Sequence, residues 1–323
     1  MTKKVLIPVL SICIAGCASE RLQVTVTDSD GNPISNATVN VSYTSGHIIL
    51  SDGKPHYYES ITDVNGNATV KFNGNSSDVH WSVKKEGYYS SGPHTEVFKI
   101  DTVFIPPVYY NVIMIEHEKH VTTTLWKKVN PQPMYAHYPI ERRKMPKKNG
   151  RYGFDLAEFD WLPPHGNGKE ADFYVVRNYN TSTEEGTFMA GSLEFERGCG
   201  YYVTQNNGCK EFQTAYHADT NAVFKSSMKI LLEHRKGVHE YDYPLPLVNK
   251  DTHLILRTRV KYDETGKMVS SHYSRILGKF SVLPSISVSE SIFNTVPNDS
   301  NLEFDKNRNL YKSSLRRSLK RQR

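Results

Sequence analysis

Leu22-Gln23-Val24-Thr25-Val26, then Asp28-Ser29-Asp30-Gly31-Asn32-Pro33, then Ile34, Ala37, Val39 and Val41, decide the fold class. Strict alternation of apolar and polar residues has the period of a strand with one buried face. A cluster of Asp, Asn, Gly and Pro reverses the chain, because these residues tolerate or enforce turn backbone. The alternation then resumes, so the segment reads as strand, turn, strand.

Working outward, Thr62-Asp63-Val64-Asn65-Gly66-Asn67 repeats the turn chemistry ahead of Ala68-Thr69-Val70-Lys71-Phe72, and Val79-His80-Trp81-Ser82-Val83 reads as a further strand running to Glu86-Gly87-Tyr88-Tyr89. Much farther along, Leu254 to Val260 and Ser271 to Val282 flank Asp263-Glu264-Thr265-Gly266-Lys267 as a hairpin. Val108 to Ile115 reads as a linking strand, and Pro131, Pro133, Pro139 and Pro146 favour extended, edge or loop backbone after it. With 20 Gly, 16 Pro, 20 Tyr and 13 Phe in 323 residues, an all-β chain of two folded units is expected.

The pattern V-x-D-x-x-G-x-P-I-x-x-A-x-V, then T-D-x-N-G-x-A, then K-x-G-Y falls on Val26, Asp28, Gly31, Pro33, Ile34, Ala37, Val39, Thr62, Asp63, Asn65, Gly66, Ala68, Lys85, Gly87 and Tyr88. It resembles the carboxypeptidase regulatory-like and bacterial Ig-like modules. That resemblance implies an Ig-like or prealbumin-like Greek-key sandwich without catalytic residues, serving as a spacer or adhesion module. Gly153, Asp155, Leu156, Asp160 and Trp161, with Arg257, Arg259, Asp263, Gly266 and Lys267, resemble segments of uncharacterised bacterial surface lipoproteins, a likeness that brings no activity.

The amino terminus sets the compartment. Lys3 and Lys4 precede an apolar run from Val5 to Ile14 that is shorter than the roughly 20 residues needed to span a bilayer, which is the form of an export signal. Ile14-Ala15-Gly16-Cys17 resembles the lipobox of bacterial lipoproteins, which implies cleavage before Cys17, recognition through Ile14, Ala15 and Gly16, and acylation of Cys17. The rival is an ordinary signal peptide with a cysteine near the cut. Ala18 after the cysteine resembles the outer-membrane sorting pattern of two-membrane bacteria. Cys13 would leave with the signal, so Cys199 and Cys209 remain, bracketing an Asn207-Gly208 turn. In an exported chain they are expected to form a disulfide, a two-cysteine metal site being the rival.

Charge excludes one function class. Of the net +6, Lys3 and Lys4 lie in the signal and eight positives lie between Lys306 and Arg323, which leaves the body at about −4. A nucleic-acid-binding fold would carry its basic excess on a folded face. The tail itself reads as disordered, or as a contact for anionic headgroups or cell-wall polymers.

Candidate chemistry is sparse. Glu116-His117-Glu118-Lys119-His120 lacks the helical H-E-x-x-H spacing and reads as a charged edge. Asp155, Asp160 and Asp172 are the candidate carboxylates for a glycoside hydrolase, whose reaction needs two of them close together. Trp161, Tyr201 and Tyr202 are the candidate aromatics for stacking on sugar.

These readings give a signal peptide at 1–16, an Ig-like sandwich at 17–108, a second β-sandwich of jelly-roll type at 109–290 and a basic disordered tail at 291–323. The expected protein is a lipid-anchored envelope module, with no cofactor, metal or catalytic residue, that binds envelope polysaccharide or another surface protein and whose first sandwich sets the second away from the membrane. A carbohydrate-active hydrolase is the alternative.

Overall fold

A strand with one apolar face buries it only against another layer, so a chain of such strands forms sheet pairs. The computed structural model describes residues 19–45, 54–73, 78–92, 94–97, 118–138, 141–146, 149–182, 186–207, 211–235, 252–282 and 285–311. Among them every regular element is a strand except a 3-10 turn at Lys306–Arg308. The chain divides into two compact units, residues 1–127 with 209–211, and residues 128–208 with 212–323.

The first unit holds β1 (Ser19–Thr27), β2 (Thr38–Ser45), β3 (Lys54–Ile61), β4 (Asn67–Asn73), β5 (Asp78–Lys84), β6 (His94–Val97) and β7 (Glu118–Thr124). They form two sheets in the orders β4-β1-β7 and β3-β2-β5-β6, with β7 parallel to β1 and the other pairs antiparallel. The alternation read from sequence is the core: Leu22, Val24 and Val26 of β1 pack with Val39, Val41 and Tyr43 of β2 and with Val79, Trp81 and Val83 of β5. Each such side chain contributes roughly 1.5–3 kcal/mol by leaving water. The unit extends past the expected boundary at residue 108, because β7 pairs along β1 and Leu125 is fully buried in the same core.

The turns follow one design. In the loops at Asp28–Asn32, Asp63–Asn67 and Asp263–Lys267 the aspartate Oδ1 accepts from the backbone N–H two and four residues on, at 2.8–3.0 Å. The N–H of the glycine at the fourth position donates to the aspartate carbonyl in each loop. Gly66, with φ +75°, is needed on two counts, since a Cβ there would meet the Val26 carbonyl oxygen at 2.4 Å. Between β3 and β4, buried Thr62 donates from Oγ1 to the Ile34 carbonyl (2.7 Å) and accepts from the Ala37 N–H (2.8 Å), which ties the β1–β2 connection to the strand edge.

The second unit holds β8 (Tyr135–His137), β9 (Glu141–Lys144), β10 (Gly150–Asp155), β11 (Asp160–Trp161), β12 (Phe173–Ser182), β13 (Gly186–Glu194), β14 (Gly200–Gln205), β15 (Ser227–Arg235), β16 (Thr252–Tyr262), β17 (Met268–Ser281) and β18 (Ser285–Phe293). One sheet runs β11-β10-β12-β13-β15 and the other β14-β16-β17-β18-β8, with β9 also on β18. Phe154, Phe173, Val175, Leu193 and Ile230 of the first share a core with Leu254, Leu256, Ile276, Phe280 and Val288 of the second. The runs β12-β13 and β16-β17-β18 are meanders within a sheet, unlike the jelly-roll order expected.

Residues 291–311, expected within a disordered tail, are part of this unit. Glu303, 1% exposed, accepts through its carboxylate from the Val129 and Asn130 N–H groups, and Asn309 accepts from the Ala136 N–H and donates to the Ala136 carbonyl. Phe304 is buried with Met134, Ala136 and Ile292, and Leu302 with Ala218, Ile255 and Tyr273. Polar side chains acting as strand partners hold the segment, so a count of its apolar residues understates its order. Residues 312–323 lie outside the described residues.

Candidate functional site

A buried polar constellation joins β10 and β16, whose motifs stood out in sequence, with the start of β12. Asp155 ends β10, Asp172 immediately precedes β12, and Arg259 lies where β16 bulges, between Thr258 and Lys261. Arg259 has φ +51°, a left-handed conformation for a side-chain-bearing residue. A bulge re-aims side chains. Here Arg257 donates from Nε to the Gly198 carbonyl, whereas Arg259 reaches the two aspartates.

Arg259 donates from Nε to Asp172 Oδ1, from Nη2 to Asp172 Oδ2 and from Nη2 to Asp155 Oδ1, each at 2.9 Å. Its guanidinium lies over the Phe293 ring at 4.3 Å. Side-chain exposure is 13% for Arg259, 1% for Asp155 and 0% for Asp172, so the cluster works in low dielectric where such bonds are strong and a missing partner is costly. Burial opposes the arginine charge, but Asp172, Asp155 and Glu170 hold its pKa above the ordinary value. Burial pushes the Asp172 carboxyl up, against Arg259 and the Leu156 amide.

The remaining lone pairs are taken by backbone. Asp155 Oδ1 accepts from the Ala157 and Glu158 N–H groups and Oδ2 from those of Lys169 and Glu170, while Asp172 Oδ2 accepts from Leu156 at 2.7 Å. Asp160 accepts from the Trp161 and Asn167 N–H groups. The loop from His165 to Lys169 closes over these carboxylates because Gly168 permits it: a Cβ there would lie 2.9 Å from both the Asp155 Cβ and the Asp160 carbonyl oxygen. Asp155 and Asp172 do converge, as a hydrolase would need, but on an arginine and a set of amides. The result is an electrostatic clamp between β10, β12 and β16, and Asp160 organises the loop beside it.

The candidate aromatics do not share a surface. Trp161 is 2% exposed, packs edge-on against Phe154 and donates from Nε1 to the Lys144 carbonyl. Tyr201, also 2% exposed, faces the same core, and Tyr202 is half-buried against Phe224 with its hydroxyl accepting from the Asp219 N–H. Burial raises the pKa of both tyrosines. They therefore offer no stacking platform for a sugar. Cys199 is a buried free thiol, its pKa raised by burial, in place of the disulfide half expected; Cys209 lies outside the described residues. Ile14, Ala15, Gly16, Cys17, Glu116 and His117 also lie outside them. Among the described residues no group of three or more His, Cys, Asp or Glu is arranged to hold a metal ion. What the sequence left unread was Arg259 as the partner of Asp155 and Asp172; the only signal was that motifs of two distant segments each carried one of the charges.

Residues 12–85 match the family model of the bacterial Ig-like domain, group 1. That match covers most of the first unit and stops short of β6 and β7. No curated protein matches the chain. Among solved structures it is similar to 3-chlorocatechol 1,2-dioxygenase from Rhodococcus opacus 1CP, at 14% identity over 36% of this chain and 62% of that one, with a TM-score of 0.25. Chlorocatechol 1,2-dioxygenase from Pseudomonas putida matches at 13% identity over 34% and 60%, TM-score 0.23. The full-length major pilin SpaD of Corynebacterium diphtheriae matches at 10% identity over 91% and 85%, TM-score 0.25. The chain spans less than two thirds of either dioxygenase, and TM-scores this low support no argument about fold, activity or assembly.

Proposed function

We propose that this chain is a lipid-anchored protein of the bacterial cell envelope, acting as a non-catalytic structural or binding module. The observation that carries the reading is the Ig-like sandwich placed directly after the lipobox-like Ile14-Ala15-Gly16-Cys17, with β1 starting at Ser19, two residues past the cysteine. Two or three acyl chains on Cys17 hold a protein durably, since each buried methylene adds about 0.8 kcal/mol. Ala18 favours outer-membrane sorting where two membranes exist, and the basic residues from Lys312 to Arg323 supply a second, electrostatic attraction to anionic headgroups or cell-wall polymer. Envelope polysaccharide or another surface protein is the partner class. The hydrolase alternative loses its candidate residues, because Asp155, Asp160 and Asp172 are occupied by Arg259 and backbone amides.

The test is fractionation of a bacterial host expressing the full chain or its Cys17→Ser form. The full chain should pellet with membranes and partition into detergent, while the variant should be released. Equal partitioning of the two refutes lipid anchoring.

A further inference from the structure

Besides Arg259 and His272, which both lie against Phe293, the sheet β14-β16-β17-β18-β8 presents to its core an apolar face interrupted by four fully buried polar side chains. Thr258, Ser274, Ser291 and His137 are each at most 1% exposed. Thr258 Oγ1, Ser274 Oγ, Ser291 Oγ and His137 Nδ1 have no hydrogen-bond partner in the protein. Such atoms are rare in folded chains and each needs a physical account.

Their positions supply one. Leu256 stands opposite Ser274, Ser274 opposite Phe293, Ile276 opposite Ser291, and Ser291 opposite His137. Leu256, Ile276 and Phe293 all point into the core between the sheets. Strand residues two apart share a face, so Thr258, Ser274, Ser291 and His137 point the same way. Thr258, Ser274 and Ser291 step diagonally across β16, β17 and β18, and Ser291 directly faces His137 on β8.

Diagonal neighbours on a sheet have Cα atoms about 7–8 Å apart, too far for one small hydroxyl to bond the next at about 2.8 Å. One water making two such bonds spans about 5.5 Å and closes each of the two diagonal gaps, while a water between the directly opposed Ser291 and His137 bonds both. Ser and Thr are also smaller than the Leu, Ile and Phe beside them. At the far end the imidazole sets the direction. His137 Nε2 lies 3.2 Å from the Ala157 carbonyl oxygen, so Nε2 carries the proton and Nδ1 is left as an acceptor.

We infer that the second unit binds a file of internal water molecules along Thr258, Ser274, Ser291 and His137, with the terminal water donating to His137 Nδ1. The bound species is water, each molecule bridging two or more of these groups. The file turns four orphaned atoms into a satisfied polar seam and supplies the second hydrogen bond of the histidine that packs between Phe159 and Tyr311.

The test is water-to-protein cross-relaxation in the folded, isotope-labelled full chain, read at the amide and side-chain protons of residues 258, 274 and 291, together with the 15N shift of His137 Nδ1. The expected result is exchange peaks to long-lived water at two or more of these residues and an Nδ1 shift in the hydrogen-bonded range. Ser291→Val, which removes the station nearest the histidine and fills its space, should abolish the peak at 291 and move Nδ1 towards the free-acceptor value. Absence of any long-lived water at these residues in the wild-type protein overturns the inference, and that measurement needs no variant to fold. An Nδ1 shift unchanged in a folded Ser291→Val chain overturns the assigned order of the file.

Discussion

Replacing Arg259 with Leu tests the clamp most severely. The substitution removes three charge-assisted bonds of 2.9 Å and leaves two carboxylates, on residues 1% and 2% exposed, without their counter-charge. Removing one partner of a buried ion pair costs about 3–5 kcal/mol, because the remaining charge stays buried without compensation. For a unit of this size each kcal/mol moves the melting temperature by roughly 2–4 °C, so calorimetry should record a fall of about 6–20 °C in the transition of the second unit. The pH dependence gives a sharper check. Arg259 is the chief influence holding the Asp172 carboxyl down against burial, so its loss raises the folded-state pKa further above the unfolded value. A group raised in the folded state contributes its stability below the unfolded pKa and loses it as pH rises through the folded pKa. The deficit of Arg259→Leu should therefore be larger at pH 8 than at pH 5. Arg259→Lys keeps the charge without the fork and should fall between the two. A loss below about 1 kcal/mol, or one of equal size at both pH values, would refute the clamp as described.

Other consequences follow from single contacts. Gly66→Ala should cost the first unit well over the roughly 1 kcal/mol expected of Gly31→Ala, since both have positive φ but only the former drives a Cβ into Val26; equal melting shifts would contradict this. Thr62→Val leaves the Ala37 N–H and Ile34 carbonyl unpaired in a buried site and should cost about 2–3 kcal/mol by urea unfolding, with Thr62→Ser retaining most of the stability. Burial lowers His137 to a pKa of about 4 from 6.5, so its contribution is present above pH 6.5 and is lost as pH falls towards 4; this amounts to roughly 3 kcal/mol, and His137→Phe should flatten that limb of the stability curve. Asp28 and Asp263, held down chiefly by the Asn32 side chain and the Thr265 hydroxyl respectively, should titrate below ordinary aspartate when followed by carboxyl 13C shifts.

The all-β class was readable because it rests on local chemistry. The Asp28, Asp63 and Asp263 turns carry their own acceptor and their own glycine, and the flanking alternation supplies the buried faces. The unit boundary at 108 and residues 291–311 of the expected tail were misread for one shared reason. β7 is held by parallel pairing with a strand some hundred residues earlier, and the segment containing Glu303 and Asn309 is held by side chains bonding distant backbone. Neither interaction leaves a periodic trace. Trp161 and Tyr201 illustrate a further limit: an aromatic in a strand reads alike whichever face is buried, and the facing sheet decides. Arg259 was unreadable as an inward residue because regular alternation sends it out with Arg257, and only the bulge reverses it.

The lipid on Cys17 is the claim on which compartment and role depend, and intact-mass analysis of the mature amino-terminal peptide, extracted in detergent from a bacterial host, tests it directly. The account predicts a peptide that begins at Cys17 and carries a diacylglyceryl mass on its sulfur. A peptide beginning elsewhere, or an unmodified Cys17 in the membrane fraction, would contradict it.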